Sequence, residues 1–407
     1  HANNLVTVMA ATGYSSWADL NSELLVSIAA ADGLSLRDYH CLRGVCRSWR
    51  SALRPPYPCL LSLAEAGRSA SVFSLPLRSS FHLHSSRLQD SSRHHRSLSK
   101  TSRVVGSSNG CFAVQYSWTT RIFLVDPRAG EEVEIAGAFY PAISKLVFAP
   151  NSPPPGRPDG WTVVALYHGK KVACMDTRNR DTSWEWRAID VVPRNTAGYL
   201  ADLAMDAGGG KVYCLDSRGG VHVLRITRGA VAGKQLELAV AVEPLPTLML
   251  TPVPAAFPAA FAAPHDISSA EDSTKHIFFC HGSLYQVCQR NDDGCSCVCS
   301  DKITLLRYDT ARWPCWEVAS DLGGWSVFVS TASSPVVVRP AGGGAIVTGV
   351  RADCVYWISS KHVAMVCDVA TGTSEPWVGG PHGARKGCCW YFNDDNMMGI
   401  NNGDQSN

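Results

Sequence analysis

The chain has 407 residues, 45% of them hydrophobic, and a formal net charge of +2 at pH 7. It can bury a large core and is longer than most single domains, so a small module plus one large domain is expected. Its 16 cysteines are scattered through strand-like stretches, which argues against a disulfide-stapled secreted scaffold and predicts reduced thiols in a cytosolic or nuclear protein.

The first predicted elements are helices within residues 17–53. Asn21 and Ser22 can cap a first helix that ends after Ala31, before an Asp-Gly pair. Its apolar side carries Leu24, Leu25 and Ile28. Ser35, followed three residues later by Asp38, is a capping-box-like start for a second helix that leads to Leu42.

A third stretch repeats apolar residues at spacings of three and four, with arginines facing away from them. These residues are Leu42, Val45, Cys46, Trp49 and Leu53. A unit of about forty residues cannot bury all these stripes by itself. Some of this surface must therefore pack on the chain's own large domain or bind another protein.

The residue identities of this segment resemble the F-box motif over its whole length. The matching positions are Leu20, Glu23, Leu24, Leu25, Ile28, Leu34, Asp38, Leu42, Arg43, Val45, Cys46, Trp49 and Arg50. Asn21 departs from the pattern, because most members carry proline there. The resemblance implies docking to the Skp-type adaptor of a cullin–RING ubiquitin ligase. The predicted adaptor-binding residues are Leu20, Leu24, Leu25, Ile28, Leu34, Leu42, Val45, Cys46 and Trp49.

From residue 104 to residue 400, short β-rich runs alternate with Gly, Asp, Asn and Pro, which predicts an all-β domain. Six strand pairs are predicted around tight turns. They are 111–115 with 121–126, 162–167 with 171–176, 211–215 with 221–226, 276–280 with 283–288, 303–308 with 315–319, and 354–358 with 363–368. Residues 236–264 are apolar but contain too many prolines for a membrane helix, so they are predicted to be a loop or linker.

The predicted hairpins recur at roughly forty to fifty residues, which is the blade period of a β-propeller. We expect six blades, with five or seven as alternatives. Closing the ring would protect the strand edges from pairing with other chains.

Several segments in this region resemble successive landmarks of the KIB-type propeller of plant F-box proteins. The landmarks are residues 106–111, 124–130, 306–309, 316–318, 322–329, 354–358 and 368–372, and the resemblance spans most of residues 70–392. Such hairpin glycines and aromatic strands occur widely, but their order behind an F-box is specific.

Two clusters have a functional and a structural interpretation. Cys280, Cys288, Cys295, Cys297 and Cys299 could suggest zinc, but alternating C-x-C lacks the paired C-x-x-C hooks of structural sites, so no metal is predicted. Residues 78–103 are basic but lack the aromatic interleaving of single-strand nucleic-acid binders. They are expected to be a solvated connection and an outer strand, with no nucleic-acid or membrane partner.

No G-x-S-x-G elbow, H-E-x-x-H motif, P-loop lysine or Rossmann glycine fingerprint is present in the sequence. The predicted protein is therefore non-catalytic and without cofactors. Two alternatives stay open. The chain could be a propeller hydrolase or oxidase whose N-terminal helices only cap the propeller, or a binding protein with a decayed F-box that no longer binds the adaptor.

The predicted function is that of a substrate-receptor subunit of an SCF-type ubiquitin ligase in the nucleus or cytoplasm, with the propeller binding a target protein. The predicted domains are a disordered tail at 1–16, of which residues 1–8 precede a natural start at Met9, then an F-box at 17–56. A connector with the first outer strands follows at 57–103, then the propeller at 104–400 and a disordered tail at 401–407.

Overall fold

The computed structural model describes a large part of the chain. The described residues are 17–30, 34–63, 70–83, 102–115, 121–127, 130–135, 143–151, 160–167, 169, 171–177, 186–191, 198–206, 210–230, 236–244, 273–290, 302–309, 315–340, 349–359, 361–377 and 388–392. The predicted tails at 1–16 and 401–407 lie outside this set.

Residues 17–53, called the helical module below, contain four short helices. They are a 3₁₀ helix (Trp17–Asp19), α1 (Ser22–Ala29), α2 (Leu36–Gly44) and α3 (Arg47–Ala52). The predicted caps are confirmed: Asn21 accepts the Glu23 N–H at 2.7 Å, and Ser35 accepts the Asp38 N–H at 3.1 Å. Within the described residues, no helix has the length and apolar character needed to span a membrane.

The remaining described elements form six sheets arranged as the blades of a β-propeller. Blade 1 contains β1 (Cys59–Leu63), β2 (Ala70–Ser74), β3 (Ser79–Leu83) and β25 (Cys389–Tyr391). Blade 2 contains β4 (Arg103–Ser108), β5 (Cys111–Gln115), β6 (Ile122–Asp126) and β7 (Glu131–Ile135). Blade 3 contains β8 (Ile143–Pro150), β9 (Trp161–Tyr167), β10 (Lys171–Asp176) and β11 (Arg187–Asp190).

The second half of the ring continues in the same way. Blade 4 contains β12 (Leu200–Met205), β13 (Lys211–Asp216), β14 (Val221–Ala230) and β15 (Leu236–Pro244). Blade 5 contains β16 (Ser273–Cys280), β17 (Ser283–Arg290), β18 (Lys302–Tyr308) and β19 (Trp316–Val318). Blade 6 contains β20 (Ser326–Ser330), β21 (Ser333–Val338), β22 (Cys354–Ile358), β23 (Ala364–Asp368) and β24 (Ser374–Pro376).

The predicted fold is confirmed, including the expected number of six blades. All six predicted hairpins pair as antiparallel neighbours, from β5 with β6 to β22 with β23. One prediction was wrong: residues 236–244, expected to be loop, form the outer strand β15, which pairs with β14. Prolines stand only at and beyond the end of that strand, so they end it rather than prevent it.

The ring is closed by the two ends of the propeller. Strand β25 pairs antiparallel with β1, with Cys59 opposite Tyr391 and Leu61 opposite Cys389. The indole N–H of Trp390 donates to the Val329 carbonyl in blade 6 at 3.0 Å, and the Tyr391 hydroxyl donates to the Gly110 carbonyl in blade 2 at 2.8 Å. Strands β1, β2 and β3, which fall in the predicted connector with the first outer strands, are thus part of the ring.

Blade 6 departs from a simple meander. Its strand order is β21-β20-β22-β23-β24, and β20 and β22 run parallel. The extra strand β21 is innermost, with Cα atoms within 8 Å of β4, β8, β12 and β16. One strand of blade 6 therefore packs against the inner strands of blades 2 to 5.

The helical module packs on blade 1. The Tyr39 ring lies 5.1 Å from the Phe81 ring of β3, and the His40 imidazole is 2.7 Å from the Tyr57 hydroxyl. Ser35 also forms a parallel bridge with His82, which covers part of the β3 edge. Burial raises the pKa of Tyr39 to about 12. The module and the closing blade consequently share one hydrophobic core.

Candidate docking surface

Large apolar side chains of the helical module are exposed to solvent. The exposed fractions are 47% for Trp17, 40% for Leu24, 47% for Val26 and 55% for Val45. In the described part of the chain, the only other large apolar side chains so exposed are Tyr199 and Val318. The concentration of exposed apolar residues in one small module makes that module a candidate interaction site. These four residues are called the helical apolar surface.

Helix α1 separates a buried side from an exposed side. Leu25 and Ala29, four residues apart, are buried toward blade 1. Successive residues of an α-helix point about 100° apart, so Leu24 and Val26 project to either side of Leu25. Both are exposed, and the Asn21 cap fixes where the helix starts.

The break between α2 and α3 presents Val45 and Cys46. The Val45 N–H donates to the Leu42 carbonyl at 3.3 Å, which closes α2. The Cys46 sulfur caps α3 by accepting the Trp49 N–H at 3.5 Å, and it lies 3.0 Å from the Ser48 hydroxyl. The hydrogen bond from Ser48, supported by backbone N–H groups, lowers the pKa of the Cys46 thiol. Val45 therefore lies beside a polarised thiol.

The structure separates the nine predicted adaptor-binding residues by exposure. Leu24 and Val45 are exposed, while Ile28, Leu34, Leu42 and Cys46 are half-buried. Leu20, Leu25 and Trp49 are buried, with exposed fractions of 7%, 1% and 6%. In this fold a partner has no direct access to these three. We expect them to support the exposed residues, as Trp49 does by donating its indole N–H to the Trp17 carbonyl at 2.9 Å.

Two members of the helical apolar surface were missed by the sequence analysis. Val26 is off the stripe of Leu24, Leu25 and Ile28, and an apolar residue on the polar side of an amphipathic helix is the signal that could have identified it. Trp17 lies in the 3₁₀ helix before α1, where no periodicity marks it.

A second group of ionisable side chains lies on the inner strands of blades 3 to 5. Asp202 accepts a hydrogen bond from the Lys145 ammonium at 2.5 Å and one from the Ile277 N–H at 2.9 Å. His276 Nδ1 is 3.8 Å from Asp202 Oδ2. Burial alone raises the pKa of Asp202, but Lys145 and His276 outweigh it and hold the pKa below its ordinary value.

This inner-strand cluster is sealed from solvent. The side chains of Lys145, Asp202 and His276 are 2 to 3% exposed. If the protein were a propeller enzyme, the alternative left open by the sequence, several acidic side chains would be expected to point into an open pocket. An enclosed carboxylate bound to two neighbouring blades instead has the geometry of a structural cross-link.

The cysteine cluster is only partly described. Cys280 and Cys288 are buried in β16 and β17, and burial raises the pKa of the Cys288 thiol to about 11. Cys295, Cys297 and Cys299 lie outside the described residues. Within the described ranges, no group of three or more His, Cys, Asp and Glu side chains is arranged to hold a metal ion.

Comparison with known proteins identifies the large domain. The family model for the KIB1-4 beta-propeller matches residues 72–391. None of the curated proteins matches the chain. Among solved structures, the β-propeller domain of Cps50 (Swd1) from Myceliophteria thermophila is similar, with 10% identity and a TM-score of 0.33, covering 80% of this chain and 98% of that one. A putative 6-phosphogluconolactonase from Bacteroides uniformis has 12% identity and a TM-score of 0.31, covering 69% of this chain and 68% of that one.

Proposed function

Because this chain belongs to the KIB1-4 beta-propeller family, we propose that it is the substrate-receptor subunit of an SCF-type cullin–RING ubiquitin ligase. The observation that carries the proposal is the two-sided helical module. Its inner side is fixed to blade 1, while Trp17, Leu24, Val26 and Val45 remain exposed. Four exposed apolar anchors on a rigid module suit a docking surface for the Skp-type adaptor.

The proposed mechanism is proximity and uses no side-chain chemistry of this chain. The module docks the adaptor, and the propeller holds a target protein. Holding the target beside the ubiquitin-conjugating enzyme raises the effective concentration of its lysines at the thioester. The receptor would work in the nucleus, the cytoplasm or both.

The Asn21 cap supports an intact docking module over a decayed one. Most F-box proteins have a proline there, which presets the backbone for the first helical turn. In this chain the Asn21 side chain accepts the Glu23 N–H at 2.7 Å, so α1 still has a defined start. The absence of proline therefore leaves Leu24 and Val26 in register.

The test is co-purification with a Skp-type adaptor. The double variant Leu24→Asp with Val45→Asp places two charges on the helical apolar surface without touching the core, since both side chains are at least 40% exposed. We expect adaptor capture to fall by about two orders of magnitude, the loss typical of two anchor residues. Leu25 is unsuitable for this purpose, because its side chain is 1% exposed and a charge there would unfold the module.

Val318→Asp is the matched control. Val318 is 57% exposed but lies in β19 of the propeller, far along the chain from the helices. This variant should capture the adaptor like the unmodified chain, and all variants should keep the same thermal unfolding midpoint. Equal adaptor capture by the folded double variant would refute the docking role of this surface.

A further inference from the structure

Three segments meet around Trp325 at one end of the ring. Trp325 directly precedes β20, and Arg339 directly follows β21. The two strands are antiparallel with Ser326 opposite Val338, so Trp325 and Arg339 lie side by side. His281, in the turn after β16, completes the group with its ring 4.7 Å from the Trp325 ring. Strand β21 is innermost in blade 6 and approaches β16. Trp325, Arg339 and His281, which lie next to the ends of these strands and of β20, are therefore on the inner side of the ring.

The loop that carries Trp325 is held in one conformation. Asp353 Oδ1 accepts the N–H groups of Leu322 and Gly324 at 2.7 and 3.0 Å. The Asp353 N–H donates to the Trp325 carbonyl at 2.8 Å. Gly323 and Gly324 have φ angles of 64° and 80°, which favour glycine. The indole is therefore positioned by a rigid backbone, as required of a preformed binding site.

The Trp325 side chain combines a partly exposed ring with an unpaired donor. The His281 ring meets it edge-on at 81°, and the Arg339 guanidinium lies 5.8 Å from the ring centroid. The indole Nε1 is enclosed without an acceptor among the described residues. Because the Nε1 atom itself is buried, the parts of this group that a partner can reach are the exposed part of the ring and the Arg339 guanidinium.

The Arg339 guanidinium of the group carries a positive charge and has no ion-pair partner among the described residues. His281 and Arg339 are exposed, and across the described ranges neither lies within ion-pair distance of a carboxylate. The two acids of the same loop accept backbone hydrogen bonds instead of pairing with Arg339: Asp353 binds the Leu322 and Gly324 N–H groups, and Asp321 Oδ1 accepts the Gly323 N–H at 3.0 Å. By contrast, exposed Arg351 is paired with Glu375 at 2.9 Å.

We propose that Trp325, Arg339 and His281 form a binding site for an acidic segment of a partner polypeptide. The Trp325 ring holds the guanidinium of Arg339 by a cation–π contact and leaves the N–H groups of the guanidinium available for a carboxylate. Tryptophan and arginine are the residue types that dominate binding energy at protein interfaces. That this partner is a ubiquitination target rests on the proposed function, whereas the peptide binding itself does not.

The test uses the full chain and fluorescein-labelled oligopeptides of glutamate, serine or lysine, with binding measured by fluorescence anisotropy. The oligoglutamate peptide should bind, more weakly as salt is raised, and the other two should not. Arg339→Gln should weaken this binding by about tenfold, the usual effect of losing one charge-assisted contact. Trp325→Phe keeps an aromatic ring but makes a weaker cation–π contact with Arg339, so it should weaken binding by a smaller factor.

Arg37→Gln is the matched control, because it removes the same charge at an exposed position of α2. Equal loss of affinity in Arg37→Gln and Arg339→Gln would overturn the site, because binding would then follow net charge. Arg339-dependent binding of a phosphoserine peptide without binding of oligoglutamate would overturn the carboxylate assignment. Adaptor capture by Arg339→Gln should be unchanged, which separates a failure here from a failure of the proposed function.

Discussion

At Cys46, a thiol takes the place of the usual polar cap of a helix. Its sulfur accepts the Trp49 N–H and lies 3.0 Å from the Ser48 hydroxyl, and these contacts lower the thiol pKa. Cys59 and Cys389 are fully buried, and burial raises their pKa values above the ordinary range. The thiolate is the form that reacts with electrophiles. Cys46 is therefore the reactive thiol among these three.

We predict that iodoacetamide alkylates Cys46 in the folded protein at a lower pH than an ordinary thiol, while Cys59 and Cys389 react only after unfolding. Ser48→Ala removes the strongest stabilising contact of the thiolate, so the alkylation of Cys46 should begin at higher pH. The measurement is peptide mass spectrometry of protein labelled across a pH series. Ser51→Ala, an exposed hydroxyl of the same helix, is the control and should leave the profile unchanged. Coinciding profiles for Ser48→Ala and the unmodified chain would contradict the assigned cause.

Between elements, the inner strands β4 and β8 approach each other closely at Gly106. A Cβ atom added there would be 2.3 Å from the Leu146 carbonyl oxygen, which belongs to the backbone of blade 3. Backbone cannot move aside as a flexible side chain can. Glycine at 106 is thus required by the contact between two blades, not by a turn.

We predict that Gly106→Ala destabilises the protein by about 1–3 kcal/mol, the usual cost of overpacking a dense core. The control is Gly44→Ala at the end of α2, where an added Cβ meets nothing within 4 Å. That change should be neutral or stabilise by about 0.5–1 kcal/mol, because alanine favours the helix. Urea unfolding midpoints measure both. Equal midpoints for the two variants would show that blades 2 and 3 are not packed as described.

Across the whole molecule, the ring is held by contacts that join residues distant in the chain. Asp202 in blade 4 binds Lys145 of blade 3 and the Ile277 N–H of blade 5. Strand β25 pairs with β1 to join the two ends of the propeller. Both contacts stabilise the closed ring rather than any single blade.

We predict that Asp202→Asn lowers the free energy of unfolding at pH 7 by about 3–5 kcal/mol, because it leaves the Lys145 ammonium buried without a counter-charge. The folded-state pKa of Asp202 is below its unfolded value of about 3.9. Its stabilisation is therefore complete above that pH and is lost as the pH falls through the folded value. Urea unfolding at a series of pH values should show the variant losing less stability than the unmodified chain below about pH 4.

Glu375→Gln is the matched control for Asp202→Asn. Glu375 likewise pairs with a cationic side chain, Arg351, at 2.9 Å, but the Glu375 and Arg351 side chains are 61% and 52% exposed. Exposed pairs contribute about 0–1 kcal/mol, so this variant should be nearly neutral. Adding Lys145→Met to Asp202→Asn should recover part of the lost stability, since no charge then remains unpaired. Similar losses from Asp202→Asn and Glu375→Gln would argue against a buried cross-link.

Much of this fold follows from local patterns in the sequence. Ser35 and Asp38 mark the start of α2, and period-two runs around tight turns predict all six hairpins, because caps, turns and strand alternation depend on near neighbours. Leu24 and Val45, two of the predicted adaptor-binding residues, are exposed to solvent, and their docking role stays a prediction.

Contacts between distant segments were decided only by the tertiary structure. Neither the insertion of β21 among the inner strands nor the pairing of β1 with β25 leaves a local signature. The burial of Leu20, Leu25 and Trp49 has no local signature either. A helix has the same apolar spacing in its sequence whether that side packs on a partner protein or on blade 1. Periodicity specifies which side of a helix is apolar, but the surface that covers that side is chosen by the folded chain.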